Sequence, residues 1–356
     1  MIYSIYLIII ILSYLLTLLL VPLNIRLSKR SKTIDEPHKR GVHTYSIPLA
    51  GGLSFGIVAI FLQFSVFVLF NYFLKDSRLY DQSIIHKTVY LALSGIFVLI
   101  LGLMDDRKKF TAKYKLYFQI IIVCCLYFAG FKMNQLTNPF GADLNLGVLS
   151  FPMTLAWFLL VINAVNLIDG LDGLATGIGI IVNMVFGILG VINGNQFIAI
   201  NAIIIVGALI AFLKYNFYPA KIFMGDTGSL FIGINIAALS VAGTQQFKGI
   251  VTITLLIPII VLIIPLADTF LAIFRRVKRK VNIFEADKQH IHHRLLELGL
   301  SQTSIALISY FVTFLFGLIA LGFSLISKKI VLAILLLISI LLILIMIVTI
   351  KKMEKK

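Results

Sequence analysis

Charge is scarce in this sequence. Only 13% of its 356 residues are Asp, Glu, Lys or Arg, about half the share of roughly 25% that soluble domains carry. Carboxylates are the scarcer sign, 15 against 31 Lys and Arg. Cysteine is almost absent too. Its two copies, Cys124 and Cys125, are neighbours inside an apolar run, which excludes a disulfide framework and any metal-finger spacing. Tandem repeats, low-complexity linkers and a polar stretch long enough for a soluble domain are all missing. Apolar residues fill the space instead: 60% of the chain is hydrophobic, with a mean hydropathy of +1.03, so most of its solvent is lipid. The formal net charge of +16 does not point to nucleic acid. Its cations sit in short stretches between apolar runs, where Lys and Arg set topology and meet anionic membrane lipids.

A membrane span needs about 20 predominantly apolar residues. Eleven segments qualify, at 2–24, 48–74, 88–104, 117–132, 151–168, 174–193, 197–214, 229–245, 249–274, 303–326 and 330–350. The first lacks a basic start and a small-residue cleavage site, so it reads as a retained span. The expected fold is an all-α polytopic membrane protein, a bundle of about 11 transmembrane helices forming one domain over 1–356. The alternating loops near 25–47, 105–116, 215–228 and 275–302, with Lys214 and the C-terminal tail, hold 24 of the 31 Lys and Arg. The positive-inside rule makes that side cytoplasmic, with the N-terminus outside and the C-terminus inside. Twelve of the 15 carboxylates fall on the same side, which the rule does not require. Carboxylates near lipid are costly unless paired, hydrated or metal-bound, so this partition marks the working face.

Five motifs on that face carry chemistry. Asp35 to His43 is a basic stretch followed by Gly51-Gly52, a pair that lets a backbone approach closely at the head of a span. Asp105-Asp106 closes one apolar run ahead of Lys113 and Lys115; adjacent carboxylates repel unless a divalent cation or an ammonium group relieves them. Asn163, Asn166 and Asp169 recur every three residues, on one helical surface, before Gly170, Asp172 and Gly173. Their oxygens are hard donors suited to Mg²⁺ or Mn²⁺. Asn216 precedes Phe223-Met224-Gly225-Asp226-Thr227-Gly228-Ser229, which opens a helix whose first amides favour phosphate. Last, His290, His292, His293 and Arg294 follow a run of cations, a mixture that suits a phosphate chain better than zinc. Asp268 reads as an ion-pair partner of Arg275 or Arg276. Together the motifs describe a site for a Mg²⁺-bound pyrophosphate such as a nucleoside diphosphate, with a lipid as the second reactant.

These residues resemble the polyprenyl-phosphate N-acetylhexosamine-1-phosphate transferases, and within them the bacterial UDP-N-acetylglucosamine–undecaprenyl-phosphate branch that starts O-antigen or teichoic acid synthesis. The resemblance spans roughly residues 20–300. It implies a Mg²⁺-dependent enzyme of the bacterial inner membrane with its active site on the cytoplasmic face, and it leaves room for a homodimer. It implies Asp226 and Asn166 as metal ligands, Phe223 stacking on uracil, Asp172 binding the base, and Lys115 binding phosphate. Asn216 and Asp169 would join the substrate site, and His290, His292, His293 and Arg294 would contact the pyrophosphate or sugar. Asp105 and Asp106 would be catalytic, Asp105 as a base or as a positioning group. The histidine cluster reads Asp287 to Arg294 without the His-His-His-Phe-Glu form of the phospho-N-acetylmuramoyl-pentapeptide transferases, the alternative within the family. A membrane transporter is the remote alternative, disfavoured because ionisable groups gather at one surface.

Overall fold

A computed structural model describes residues 2–36, 46–72, 82–136, 144–244 and 300–325. The described residues form nine α-helices: α1 (Ile2–Arg30), α2 (Gly52–Tyr72), α3 (Gln82–Lys108), α4 (Ala112–Phe128), α5 (Ser150–Ile168), α6 (Leu174–Ile192), α7 (Gln196–Asn216), α8 (Gly225–Thr244) and α9 (Gln302–Leu325). Eight are long and apolar enough to cross a membrane; α4, with 17 residues, is shorter. The chain is therefore a multi-pass helical membrane protein. The expected spans at 249–274 and 330–350 lie outside the described residues, as do Asp268 and the histidine cluster.

The helices exceed the apolar runs at several ends. The 88–104 run becomes a helix of 27 residues, about 40 Å long at 1.5 Å per residue, against a hydrocarbon core of about 30 Å. The excess places Asp105 and Asp106 on the last turn of α3 and not in the loop expected to start there. Helix α4 likewise begins at Ala112, five residues ahead of its apolar run, which puts Lys115 on its first turn. Polar residues at a helix end extend it into the interface without leaving hydrogen bonds unmade.

Two short antiparallel pairs depart from a purely helical fold. Ile34–Asp35 (β1) pairs with Ile47–Pro48 (β2), with Ile34 opposite Pro48. Gln135–Leu136 (β3) pairs with Leu144–Asn145 (β4). The first clasp returns the chain after α1 to the head of α2. Asn24 fastens it, its Nδ2 donating to Ala50 O at 2.9 Å and Ser54 Oγ at 3.0 Å.

Helix α8 is the axis of the bundle. Its span is 89% buried, against 28% for α1, although it is the least apolar span of the eight. Neighbouring helices replace lipid around it, so small and amide side chains serve it well. Trp157, the sequence's one tryptophan, donates from α5 to Ser240 on α8 at 2.8 Å. A neutral amide cluster joins four helices mid-bundle: Gln63 Nε2 on α2 donates to Asn201 Oδ1 on α7 at 3.0 Å and reaches Asn235 Oδ1 on α8 at 3.5 Å. Asn201 Nδ2 in turn meets Thr88 Oγ1 on α3 at 3.3 Å.

Candidate active site

Side-chain and backbone contacts bring the ends of α1, α3, α5 and α7 and the starts of α2, α4, α6 and α8 together at one face. Backbone approach there is closer than any side chain would permit. A Cβ on Gly52 would lie 2.1 Å from Gly228 N, and one on Gly102 would lie 2.4 Å from Thr227 Cα. The first turn of α8 is thus wedged between α2 and α3. The expected close approach at Gly51-Gly52 is present, and the partner is the protein's own backbone.

That wedge sets Asp226 at the centre of the face. Its Oδ2 accepts from Lys115 Nζ at 2.6 Å, and its Oδ1 accepts from Asn166 Nδ2 at 2.9 Å. Lys115 Nζ also donates to Asp105 Oδ2 at 3.1 Å. Asp105 Oδ1 accepts from the Phe110 backbone N–H at 2.6 Å. One ammonium therefore bridges the last turn of α3 to the first turn of α8, and both Asp105 oxygens are held. Asn166 also donates to Ser229 Oγ at 2.8 Å. Its amide nitrogen thus orients Asp226 and ties α5 to the first turn of α8.

Asp106, expected among the catalytic residues, meets the first turn of α8. Its Oδ1 accepts from Asp226 N at 2.8 Å, and its Oδ2 accepts from Thr227 N at 3.2 Å and Thr227 Oγ1 at 2.5 Å. The carboxylate caps α8, where unpaired N–H groups and the positive end of the dipole favour an anion. Two of the amides expected to face a phosphate, those of Asp226 and Thr227, are thus already engaged. Sequence reading missed Thr227 as a partner, because a cap supplied by another helix leaves no local spacing signal.

Asp169 closes α5 beside this cluster. Burial pushes its carboxyl well above the ordinary carboxylate range, and the charges of Asp226, Asp106 and Asp172 push the same way. Among the described residues its oxygens accept no hydrogen bond. Asp172 Oδ2 accepts from Ala220 N at 2.9 Å, tying the α5–α6 turn to the loop between α7 and α8. Phe223 is half-buried in that loop, its N–H donating to Pro48 O and its carbonyl accepting from Gly51 N, each at 2.9 Å. Asn216, expected at the substrate site, is 2% exposed, with Oδ1 accepting from Thr176 Oγ1 at 2.5 Å and Nδ2 donating to Ile222 O at 3.0 Å. Its amide ties α6 to the loop between α7 and α8. Asn163 pairs with Gln119 on α4, donating to its Oε1 at 2.9 Å. His290, His292, His293, Arg294 and residues 37–45 lie outside the described residues.

The donor set suits a hard divalent cation. Asp105, Asp106, Asp169 and Asp226 gather at one face; among the described residues Lys115 pairs with Asp105 and Asp226, and Asp169 accepts no hydrogen bond. No three Asp, Glu, His or Cys side chains among the described residues converge into a ready cage. Mg²⁺ does not demand one, since it keeps waters and completes its octahedron with one or two carboxylates and substrate phosphates.

Fold and cluster define a multi-pass membrane enzyme with its charged groups gathered at one face. Comparison with known proteins carries this further. Residues 88–244 match the model of glycosyl transferase family 4. The chain is 35% identical to a probable undecaprenyl-phosphate N-acetylglucosaminyl 1-phosphate transferase of Bacillus subtilis (strain 168), covering 87% of this chain and 83% of that protein. It is 32% identical to a decaprenyl-phosphate N-acetylglucosaminephosphotransferase of Mycobacterium tuberculosis (strain H37Rv), over 83% and 76% of the two chains. It is 28% identical to the undecaprenyl-phosphate alpha-N-acetylglucosaminyl 1-phosphate transferase of Escherichia coli (strain K12), over 77% and 72%. The chain belongs to glycosyl transferase family 4 and is a sugar-phosphate transferase.

Proposed function

We propose that this enzyme transfers N-acetylglucosamine-1-phosphate from UDP-N-acetylglucosamine to undecaprenyl phosphate, giving undecaprenyl-diphosphate-N-acetylglucosamine and UMP. The observation that carries the reading is the Lys115 bridge between Asp105 and Asp226, which builds an acid–lysine cluster where a membrane bundle meets its polar face. The names of the relatives support the N-acetylglucosamine donor and the polyprenyl acceptor. They lend no support to the muramoyl-pentapeptide alternative. The charge partition supports eleven spans in the bacterial inner membrane, with the cluster on the cytoplasmic side and the N-terminus outside.

The acceptor is a phosphate monoester whose second pKa is about 6, so it is already largely a dianion at neutral pH. Its oxygen attacks the β-phosphorus of the donor, and the bond to the UMP oxygen breaks. No strong base is required, and positioning with charge neutralisation carries the barrier. Lys115 moves its ammonium between the two aspartates and the phosphate. Asp105, with both oxygens held, positions that ammonium. Asp226, oriented by Asn166, and Asp169, whose oxygens accept no hydrogen bond among the described residues, would hold Mg²⁺, which would supply charge neutralisation on the pyrophosphate. Asp106 and Thr227 keep α8 in register. Phe223 and Asp172 lie on the loop and turn that would receive the uracil, and His290, His292, His293 and Arg294 would close over the pyrophosphate.

Purified protein with undecaprenyl phosphate and Mg²⁺, tested against a panel of UDP-sugars, should release UMP with UDP-N-acetylglucosamine. Absence of UMP with every donor would overturn the proposal.

A further inference from the structure

One polar pair stands just behind the charged cluster. Asn163 Nδ2 on α5 donates to Gln119 Oε1 on α4 at 2.9 Å, and Gln119 Nε2 reaches Asn163 Oδ1 at 3.5 Å. Asn163 Nδ2 also donates to Leu159 O at 2.8 Å, which fixes the plane of its amide. Gln119 is 2% exposed and opens the buried stripe of α4, whose other members are Ile122, Val123 and Leu126. A buried amide is costly unless it is hydrogen-bonded, and an apolar residue would pack there without that requirement. The pair closes a ring through three helices. Lys115 precedes Gln119 by four residues on α4, and Asn166 follows Asn163 by three on α5, each about one helical turn. Both reach Asp226 on α8: Lys115 Nζ donates to Oδ2 at 2.6 Å and Asn166 Nδ2 to Oδ1 at 2.9 Å.

We infer that Gln119 is a positioning residue of the transfer reaction: through Asn163 it fixes the rotation of α4 against α5, and so the place from which Lys115 reaches Asp226. The inference rests on the reaction proposed above and adds a residue that acts only through others. Helix α4 packs against α3 and α5, but six of the eight residues from Ala112 to Gln119 are exposed, so little else restrains its start. Apolar contacts at Ile122, Val123 and Leu126 hold the helix close yet tolerate rotation, because the hydrophobic effect is non-directional. A hydrogen-bonded amide pair does not tolerate it, since such bonds weaken steeply with angle. Side-chain tips lie about 5–6 Å from a helix axis, so a rotation of about 20° moves one by about 2 Å. That shift parts Lys115 from Asp226, and the flexible four-carbon stem of lysine holds no geometry by itself. Binding of either substrate does not require the same precision, whereas the aligned ammonium and carboxylate lower the barrier.

The test uses the full-length enzyme in nanodiscs with UDP-N-acetylglucosamine, undecaprenyl phosphate and Mg²⁺, reading kcat, both KM values and the melting temperature. Gln119→Met keeps length and helix propensity but removes both hydrogen bonds. It should lower kcat about tenfold and leave both KM values within about twofold. Val123→Ala is the control: it thins the same stripe one turn further on, at a position 1% exposed, and loses packing without losing a directed bond. It should lower the melting temperature at least as far as Gln119→Met does and keep the wild-type kcat. Gln119→Asn, whose amide is withdrawn by one methylene, should have a kcat between those of the wild type and Gln119→Met, and it decides the matter should Gln119→Met fail to fold. A wild-type kcat in the Gln119 variants, a KM rise with kcat intact, or an equal kcat loss in Val123→Ala would overturn the inference. A wild type that releases no UMP would instead sink the transfer reaction itself.

Discussion

Two buried polar clusters divide this molecule. Mid-bundle, Gln63, Thr88, Asn201 and Asn235 are neutral and bind helix to helix. At the polar face, Asp105, Asp106, Asp169 and Asp226 are ionisable, and Lys115 pairs its ammonium with Asp105 and Asp226. Neutral amides can be satisfied by one another inside a membrane at small cost. Clustered carboxylates cannot, and they leave a standing demand for cations. The first cluster is built to hold and the second to bind. That difference makes the effects of substitution on activity and on stability separable.

The largest effect should come from Asp226→Asn. It removes the negative charge that pairs with Lys115 while keeping the side chain's shape, and UMP release should fall about 10²–10³-fold, the scale of losing a preorganised electrostatic contact. The melting temperature should hold within a few degrees. Unfolding at much lower temperature would show that Asp226 belongs with the holding cluster.

Asp105→Asn tests the same face more gently. Both oxygens are engaged by Lys115 and Phe110; under the positioning role proposed for Asp105, turnover should fall about tenfold and persist. Complete loss of turnover with UDP-N-acetylglucosamine binding intact would make it the base.

Asp169 sharpens the comparison through pH. Its carboxyl is pushed above the ordinary range by burial and by Asp226, Asp106 and Asp172. A raised acid binds more protons folded than unfolded. Its contribution to stability is therefore fully present below the unfolded value, about 3.9, and is lost as pH rises toward the folded value. In EDTA, stability should fall as pH climbs from about 4 through that window, and Mg²⁺ should restore it. Asp169→Asn should flatten the pH profile and weaken the Mg²⁺-induced rise in melting temperature. An unchanged profile would remove Asp169 from the cation site.

The smallest effect belongs to the neutral cluster. Asn201→Ala should cost about 1 kcal/mol of stability, the usual worth of such a bond in a membrane, and leave UMP release unchanged. A marked loss of turnover would show that the two clusters are coupled.

Several parts of this arrangement were legible in the sequence. The apolar runs at 151–168, 174–193 and 197–214 correspond to α5, α6 and α7 within two residues at each end, because lipid imposes a length on every span. The gathering of Asp105, Asn166 and Asp226 at one face followed from loop parity and motif order. The roles within that gathering did not. Asp106, expected in catalysis, caps α8, and Asn216, expected at the substrate, ties a loop. Asn166 stands as donor to Asp226, where a ligand oxygen was expected. Each of these roles depends on a partner 40 to 120 residues away, and hydropathy reports only what a residue's own segment faces.

The scarcity of charge determined, by itself, that this is a membrane bundle, and the partition of the few carboxylates determined that one face does the work. Tertiary structure alone decided which carboxylate caps α8, which two meet Lys115 and which accepts no hydrogen bond among the described residues. Those assignments arise where the first turn of α8 is pressed between Gly52 and Gly102. That contact sets which oxygen lies within reach of which hydrogen, and no spacing along a single chain segment encodes it.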